Sequence, residues 1–158
     1  ALNGDALDQG LELPLACDIL IASNQARFGL TQARAGLMPW DGGTQRLPRL
    51  VGRGRATEMI LTSRLVDAQE ALDIGLINEV AEASQVLQRA REMASTIASH
   101  GPIAARYLKE SVSMGLDMTL EQGLRLEADL NFILQGTYDR AEGIRSFLDR
   151  RRPEYKSE

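Results

Sequence analysis

The chain has 158 residues, enough for one globular domain with a sizeable core, and 44% of them are hydrophobic. Its formal net charge of -4 and pI near 5.1 give no electrostatic basis for binding nucleic acid or an anionic membrane, and no apolar run approaches membrane-spanning length. A single cysteine, Cys17, excludes an internal disulfide and favours a reducing compartment such as the cytoplasm.

The first part of the chain alternates between predicted strands and helices. Residues 1–5 are expected to be the end of a buried strand and a turn; because a domain rarely begins inside its core, we expect a further N-terminal piece. Residues 11–17 are predicted to form a short apolar helix with Pro14 in its first turn. The apolar run of residues 18–22 is typical of a strand buried on both faces, and residues 27–29 predict another. This alternation indicates an α/β fold.

A loop punctuated by glycine and proline at residues 36–43 is followed by a mainly helical pattern. Asp67 is predicted to be the N-cap of a helix over residues 68–74, and residues 76–80 predict a last strand or an extended link. The remaining predicted helices lie at 46–51, 55–61, 84–99, from Pro102, at 118–134 and from Thr137. We therefore divide the chain into an α/β core, 1–81, and a helical region, 82–158, whose apolar faces need a partner surface.

Metal and cofactor sites find little support in the composition. One histidine, His100, and one cysteine cannot build the usual zinc clusters, and a Ser-His-Asp set is improbable. Gly52-Arg53-Gly54 lacks the third glycine of a dinucleotide fingerprint. No metal and no separate cofactor are expected.

Glu12 is the most conspicuous polar residue, because it stands alone inside the apolar segment of residues 11–16. A carboxylate that is buried at the start of a helix can be adapted to acid–base catalysis. It can equally accept hydrogen bonds from the free N–H groups of the first helical turn. Both interpretations stand at this point.

Gly10 lies at the predicted strand-to-helix turn just before Glu12. Backbone N–H groups at such a turn can hold an oxyanion, because they point outward at the positive end of the helix dipole. Taken alone, however, a glycine required only by turn geometry is the favoured interpretation.

Three segments form a longer pattern: ALDQGLELPLACDI at residues 6–19, GLMPWDGGTQRL at 36–47 and AQEALDIGLI at 68–77. The first resembles A-x-G-G-G-x-E-L-x-x-x-C-D-I of the enoyl-CoA hydratase/isomerase (crotonase) family. The second resembles that family's G-x-x-P-x-x-G-G-T-Q-R-L, and the third its A-x-E-A-x-x-x-G-L-V. Because they follow in family order over nearly the whole chain, the sequence resembles the later portion of a crotonase.

The resemblance implies an α/β, crotonase-like (ClpP/crotonase) spiral core that is incomplete at its N-terminus and followed by a C-terminal helical region. It implies an acyl-CoA thioester as substrate, with coenzyme A as part of that substrate. Two backbone N–H groups would polarise the thioester carbonyl, one of them at Gln9 with Gly10 following. Glu12 falls on the first catalytic glutamate of the hydratases. The other N–H donor would come from the family's earlier half, so this chain alone is expected to be inactive.

Two positions depart from the family pattern. Gln32 stands where the hydratases have a second glutamate, and an amide cannot exchange a proton at neutral pH, although it can orient water or substrate. Some relatives carry a catalytic aspartate at the position of Trp40, whereas here Asp41 follows one residue later. Asp41 either faces the pocket or caps the following helix, and the cap is favoured because aspartate before Gly-Gly-Thr is a strong helix-start signal.

The leading hypothesis is therefore an enoyl-CoA hydratase or isomerase with one glutamate acid/base. An acyl-CoA hydrolase and a catalytically idle CoA-binding or assembly subunit remain as alternatives. The resemblance also implies a homotrimer or a dimer of trimers, built through the helices after residue 82.

Overall fold

The computed structural model describes residues 1–158 and divides into two compact units, Ala1–Glu92 and Met93–Glu158. The boundary lies inside a helix, further along the chain than the 81/82 division that the sequence suggested. No helix combines the length and the apolar character that crossing a lipid bilayer requires.

Five short strands lie in the first unit, in two small sheets. In the first sheet, β1 pairs in parallel with β3, and β3 pairs antiparallel with β4. In the second, β2 and β5 are parallel. The strands are β1 Ala6–Leu7, β2 Ile21–Ser23, β3 Arg27–Gly29, β4 Val66–Asp67 and β5 Glu79–Ala81.

Eight α-helices and two 3-10 helices complete the chain. The α-helices are α1 Gln9–Glu12, α2 Gly43–Val51, α3 Arg53–Thr62, α4 Ala68–Asp73, α5 Val86–Ala98, α6 Pro102–Gly115, α7 Leu120–Gln135 and α8 Tyr138–Leu148. The 3-10 helices are Pro14–Ala16 and Gln32–Ala35. All of the last three α-helices belong to the second unit.

Four helices begin at residues that cap them or that suit a first turn. The Asp67 carboxylate accepts the N–H of Glu70 at 2.8 Å, so the predicted cap of α4 is confirmed. Thr137 caps α8 in the same way, as predicted, and Pro102 occupies the first turn of α6, where it sacrifices no helical hydrogen bond. Thr119 and Gln122 form a capping box at the start of α7.

The predicted strand at residues 18–22 lies further along the chain, because β2 begins at Ile21. Asp18 and Ile19 are on the surface, where the chain leaves the 3-10 helix, and Ile19 is 41% exposed. Leu2 forms a single parallel bridge with Ala22, so the chain start does lie beside this strand.

The predicted helix at residues 11–17 is wrong in its bounds. Helix α1 begins earlier, at Gln9, and ends at Glu12, and Pro14 then begins a separate 3-10 helix. The physical reason is that proline lacks an N–H and is tolerated only in the first turn of a helix, so the chain starts a new turn there.

Candidate active site

Strand β1 and helix α1 place the first candidate residues. Asp8 joins the two elements, and its N–H donates to the carbonyl of Gly29 at 2.9 Å, which extends the pairing of β1 with β3 by one residue. Leu11 is fully buried and anchors the short helix in the core. The next side chain, that of Glu12, is buried as well.

Glu12 is a buried carboxylate, with only 1% of the residue exposed. Its Oε1 accepts two backbone hydrogen bonds, from the N–H of Asp41 at 3.0 Å and from the N–H of Gly43 at 2.7 Å. Its Oε2 is buried and has no hydrogen-bond partner. The two oxygens thus differ, because Oε1 is held by two N–H groups and Oε2 has no partner within the chain.

The N-terminus of α2 supplies one of these two N–H groups. Gly43 is its first residue, and Gly42 precedes it with a left-handed φ of 101°. A Cβ at position 43 would lie 2.8 Å from Glu12 Oε1 and 2.8 Å from Leu30 Cδ1. Glycine is therefore required here by the close approach of the carboxylate.

The predicted capping role of Asp41 is wrong. Gly42 is the N-cap of α2, and no side chain caps this helix. Because the left-handed turn at Gly42 intervenes, the main chain of Asp41 makes the contacts: its N–H binds Glu12, and its carbonyl accepts from Arg46 Nη1 at 2.7 Å.

Gln9 and Gly10 occupy the first two positions of α1 and are exposed. The first N–H bonded within this turn is that of Leu11, which donates to the Asp8 carbonyl at 2.9 Å. Gly10 has no positive φ, and a Cβ there would meet no atom within 4 Å. Turn geometry does not explain this glycine, since the positive φ of 52° belongs to Asp8.

Gln32 begins the second 3-10 helix and is buried, with 7% exposed. Its carboxamide nitrogen and oxygen both lack a hydrogen-bond partner within the chain. A buried amide with neither atom satisfied is costly, so its donor and acceptor suit a bound ligand or water.

Trp40 directly precedes Asp41, and its side chain is 58% exposed. Leu37 and Met38 are also exposed, whereas Pro39 between them and Trp40 is buried. The pocket roles of Trp40 and Asp41 stay predictions. No group of three or more His, Cys, Asp or Glu side chains lies together as metal ligands.

Comparison with known proteins decides the family. The family model described as enoyl-CoA hydratase/isomerase matches residues 1–158. The chain belongs to the enoyl-CoA hydratase/isomerase family. The family resemblance seen in the sequence is thereby confirmed.

Similar members come from several bacteria. The chain is 41% identical over 156 residues to a 2,3-dehydroadipyl-CoA hydratase of Escherichia coli. The aligned region covers 99% of this chain and 61% of that protein. It is 39% identical over 154 residues to a short-chain-enoyl-CoA hydratase of Clostridium acetobutylicum, covering 98% and 59% of the two chains. A crystal structure of an enoyl-CoA hydratase from Bacillus anthracis superposes with a TM-score of 0.96 at 46% identity, covering 98% and 60%.

These comparisons confirm the α/β, crotonase-like fold with a helical C-terminal region. The chain spans about three fifths of the length of the enoyl-CoA hydratase/isomerase relatives that it matches.

Two contributors to this family member's site were missed by sequence reasoning. Gly43 was noticed only as part of a motif, although the double glycine before a helix does signal a close approach. Asp8 was aligned with a glycine of the family motif, and its side chain binds Thr31, far along the chain. No local pattern identifies that partner.

Proposed function

We propose that this chain carries the acid–base half of an enoyl-CoA hydratase or isomerase site, with Glu12 as the proton-transfer group. The observation that carries the proposal is the asymmetry of the Glu12 carboxylate. Two backbone N–H groups bind Oε1, while the buried Oε2 has no partner. Family membership and the hydratase names of the similar proteins support the same conclusion.

Proton transfer takes place at Oε2. In an isomerisation, Oε2 removes a proton from a carbon next to the double-bond system, and the C–H electron pair moves towards the thioester oxygen. The same proton then returns to a different carbon, so one carboxylate suffices. Because Oε1 is already held by Asp41 and Gly43, little reorganisation is needed during the transfer.

The developing negative charge falls on the thioester oxygen, which needs preorganised donors. In this chain the N–H groups of Gln9 and Gly10 are the candidates for one such donor, since they precede the first N–H that bonds within the turn. The other donor is expected from the family's earlier half. The open space at Gly10 supports access by a substrate. A side chain at Gln9 does not remove its N–H.

Gln32 acts as a positioning group. Its amide carries a free donor and a free acceptor, which can orient a water molecule or a polar part of the substrate. Hydration with two carboxylates is not available here. In the hydration variant, Gln32 orients the water, and Glu12 Oε2 takes its proton as the water oxygen bonds to the β-carbon. The same Oε2 then returns that proton to the α-carbon, so one carboxylate closes the cycle.

Membership of a family that acts on CoA thioesters supports an enoyl-CoA thioester as the proposed substrate. We propose no separate cofactor, because coenzyme A would be part of that substrate. Trp40 and Asp41 are proposed to line the acyl pocket. A homotrimer or dimer of trimers is proposed for the whole protein. Exposed apolar side chains on α7 and α8, such as Phe132 and Phe147, support an assembly.

Two alternatives remain distinct. The glutamine at position 32 favours an acyl-CoA hydrolase or a catalytically idle CoA-binding subunit over a two-carboxylate hydratase. The buried, unpartnered Oε2 of Glu12 weighs against the idle subunit. A buried carboxylate oxygen without a hydrogen bond lowers the stability of the fold, and an idle subunit would gain nothing in return.

The test is Glu12→Gln in the full-length protein, assayed on a panel of enoyl-CoA esters with product analysis. The glutamine oxygen can still accept from Asp41 and Gly43, so the variant removes proton exchange and little else. We expect turnover to fall by on the order of 10² to 10⁴. The products separate hydration, isomerisation and hydrolysis.

Gln32→Ala is the comparison variant, and it should cost much less than Glu12→Gln because no proton moves through the amide. Circular dichroism and light scattering establish that both variants fold and assemble like the parent. Near-parental turnover by Glu12→Gln on every accepted ester would reject the proposed role.

A further inference from the structure

Asp8 has an unusual backbone for a residue with a side chain. Its φ is 52° and its ψ is -123°, a conformation that glycine adopts readily and other residues adopt at a cost. The four-residue helix α1 does not account for this conformation, so contacts of Asp8 with other parts of the chain must stabilise it.

The Asp8 carboxylate makes a set of hydrogen bonds that a glycine could not make. Oδ1 accepts the backbone N–H of Thr31 at 2.6 Å. The Thr31 hydroxyl donates to the same carboxylate, at 3.0 Å from Oδ1 and 3.1 Å from Oδ2. These contacts to one residue hold the carboxylate, and with it the Asp8 backbone, in place.

Thr31 is the N-cap of the 3-10 helix that begins at Gln32. The Gln32 side chain has no hydrogen bond of its own, so the backbone around it determines where its amide lies. The far side of this helix is held by Arg34, whose Nη2 donates to the Ser63 carbonyl at 2.6 Å. On the near side, Asp8 is the only side chain that binds the Thr31 N–H.

We propose that Asp8 is a positioning residue whose carboxylate holds the buried amide of Gln32 in a constant place relative to the Gln9–Gly10 turn. The same residue is covalently joined to that turn and hydrogen-bonded to Thr31, so it connects the two sides of the site. This inference rests on the proposed function only for its effect on turnover. The hydrogen-bonded connection itself can be tested without substrate.

Two variants separate the carboxylate from the backbone. Asp8→Gly suits the positive φ but removes the acceptor, and Asp8→Asn keeps an acceptor for the Thr31 N–H. Asp5→Gly is the matched control, because the Asp5 carboxylate accepts the Arg27 N–H at 3.0 Å at the opposite end of the same β1–β3 pair.

The first measurement is amide hydrogen exchange on the unliganded full-length protein. Asp8→Gly should accelerate exchange in residues 31–35 at least about tenfold, since a hydrogen bond and the helix start are released together. Asp8→Asn should change it by less than about threefold. Asp5→Gly should accelerate exchange at Arg27 and leave residues 31–35 as in the parent. Unchanged exchange in Asp8→Gly would overturn the proposal.

The second measurement is kcat on an accepted acyl-CoA, in the parent and in a Gln32→Ala background. We expect Asp8→Gly to lower kcat by about tenfold in the parent and to have little further effect once Gln32 is gone, because coupled residues are not additive. An equal loss in both backgrounds would show that Asp8 does not act through Gln32. A parent that neither binds nor turns over any acyl-CoA would contradict the proposed function, while the exchange result would still decide the role of Asp8.

Discussion

The backbone N–H of Gly43 donates a hydrogen bond of 2.7 Å to Oε1 of Glu12, and this contact joins segments that lie 31 residues apart along the chain. It directs the N-terminus of α2 at a buried carboxylate. The orientation of the candidate acid–base group therefore depends on a glycine in a different helix.

The first prediction concerns that glycine. Gly43→Ala should lower the free energy of unfolding by about 1–3 kcal/mol, since the new Cβ would crowd both Glu12 Oε1 and Leu30 Cδ1. Urea unfolding measures the change. Gly54→Ala is the control, because Gly54 also lies early in a helix but an added Cβ there would meet no other part of the chain within 4 Å. The free energy of unfolding of this variant should equal that of the parent or be slightly higher. Equal midpoints for the two variants would contradict the prediction.

The second prediction concerns Gly10. Gly10→Ala should leave the unfolding midpoint unchanged or slightly raised, because the added Cβ would meet no atom within 4 Å beyond its chain neighbours and its own helix backbone, and alanine favours the helix. Turnover should nevertheless fall by about tenfold or more, since the methyl group enters the space proposed for the thioester. Parallel denaturation and steady-state assays check this. A variant with full activity would remove Gly10 from the proposed site.

The third prediction concerns acid sensitivity in the second unit. The Arg151 guanidinium and the Glu154 N–H together hold the pKa of Glu142 at about 2, below its ordinary 4.5. The folded state thus keeps this carboxylate ionised where the unfolded state protonates it. Its contribution to stability is complete above about pH 4.5 and is lost as the pH falls towards about 2.

The measurement is the urea midpoint of the parent minus that of Glu142→Gln, followed from pH 7 to pH 2.5. The difference should shrink over the acid range. Glu121→Gln is the control, because the Glu121–Arg125 pair is 76% exposed on both sides and such pairs contribute little. A difference for Glu142→Gln that is constant with pH would refute the assignment.

The fourth prediction concerns assembly. Phe132 and Phe147 are 80% and 81% exposed, and they lie among further exposed apolar side chains of α7 and α8, namely Leu120, Leu124, Ile133, Ile144 and Leu148. Light scattering on the full-length protein should give a trimer or hexamer, and Phe132→Lys should shift it to smaller species. The matched variant Glu121→Lys, also on α7 but already polar, should not. A stable monomer of the parent at micromolar concentration would count against this prediction.

The sequence by itself determined the features that depend on neighbouring residues. Asp67 and Thr137 were identifiable as caps because a capping side chain bonds an N–H within three residues. Glu12 stood out because its neighbours in sequence are apolar, and the ordered motifs identified the family. The glutamine at position 32 was also visible without coordinates.

Only the tertiary structure decided which groups meet. Glu12 could have capped its own helix, but its Oε1 binds Asp41 and Gly43, 29 and 31 residues later. Aspartate before Gly-Gly-Thr predicted a cap, yet the left-handed Gly42 is the N-cap of α2. The main chain of Asp41 instead binds Glu12 and Arg46. The connection from Asp8 to Thr31 exists because β1 and β3 are parallel neighbours, which brings the residues after both strands to the same edge. Local patterns report periodicity and caps, whereas pairing between distant strands depends on how the whole core packs.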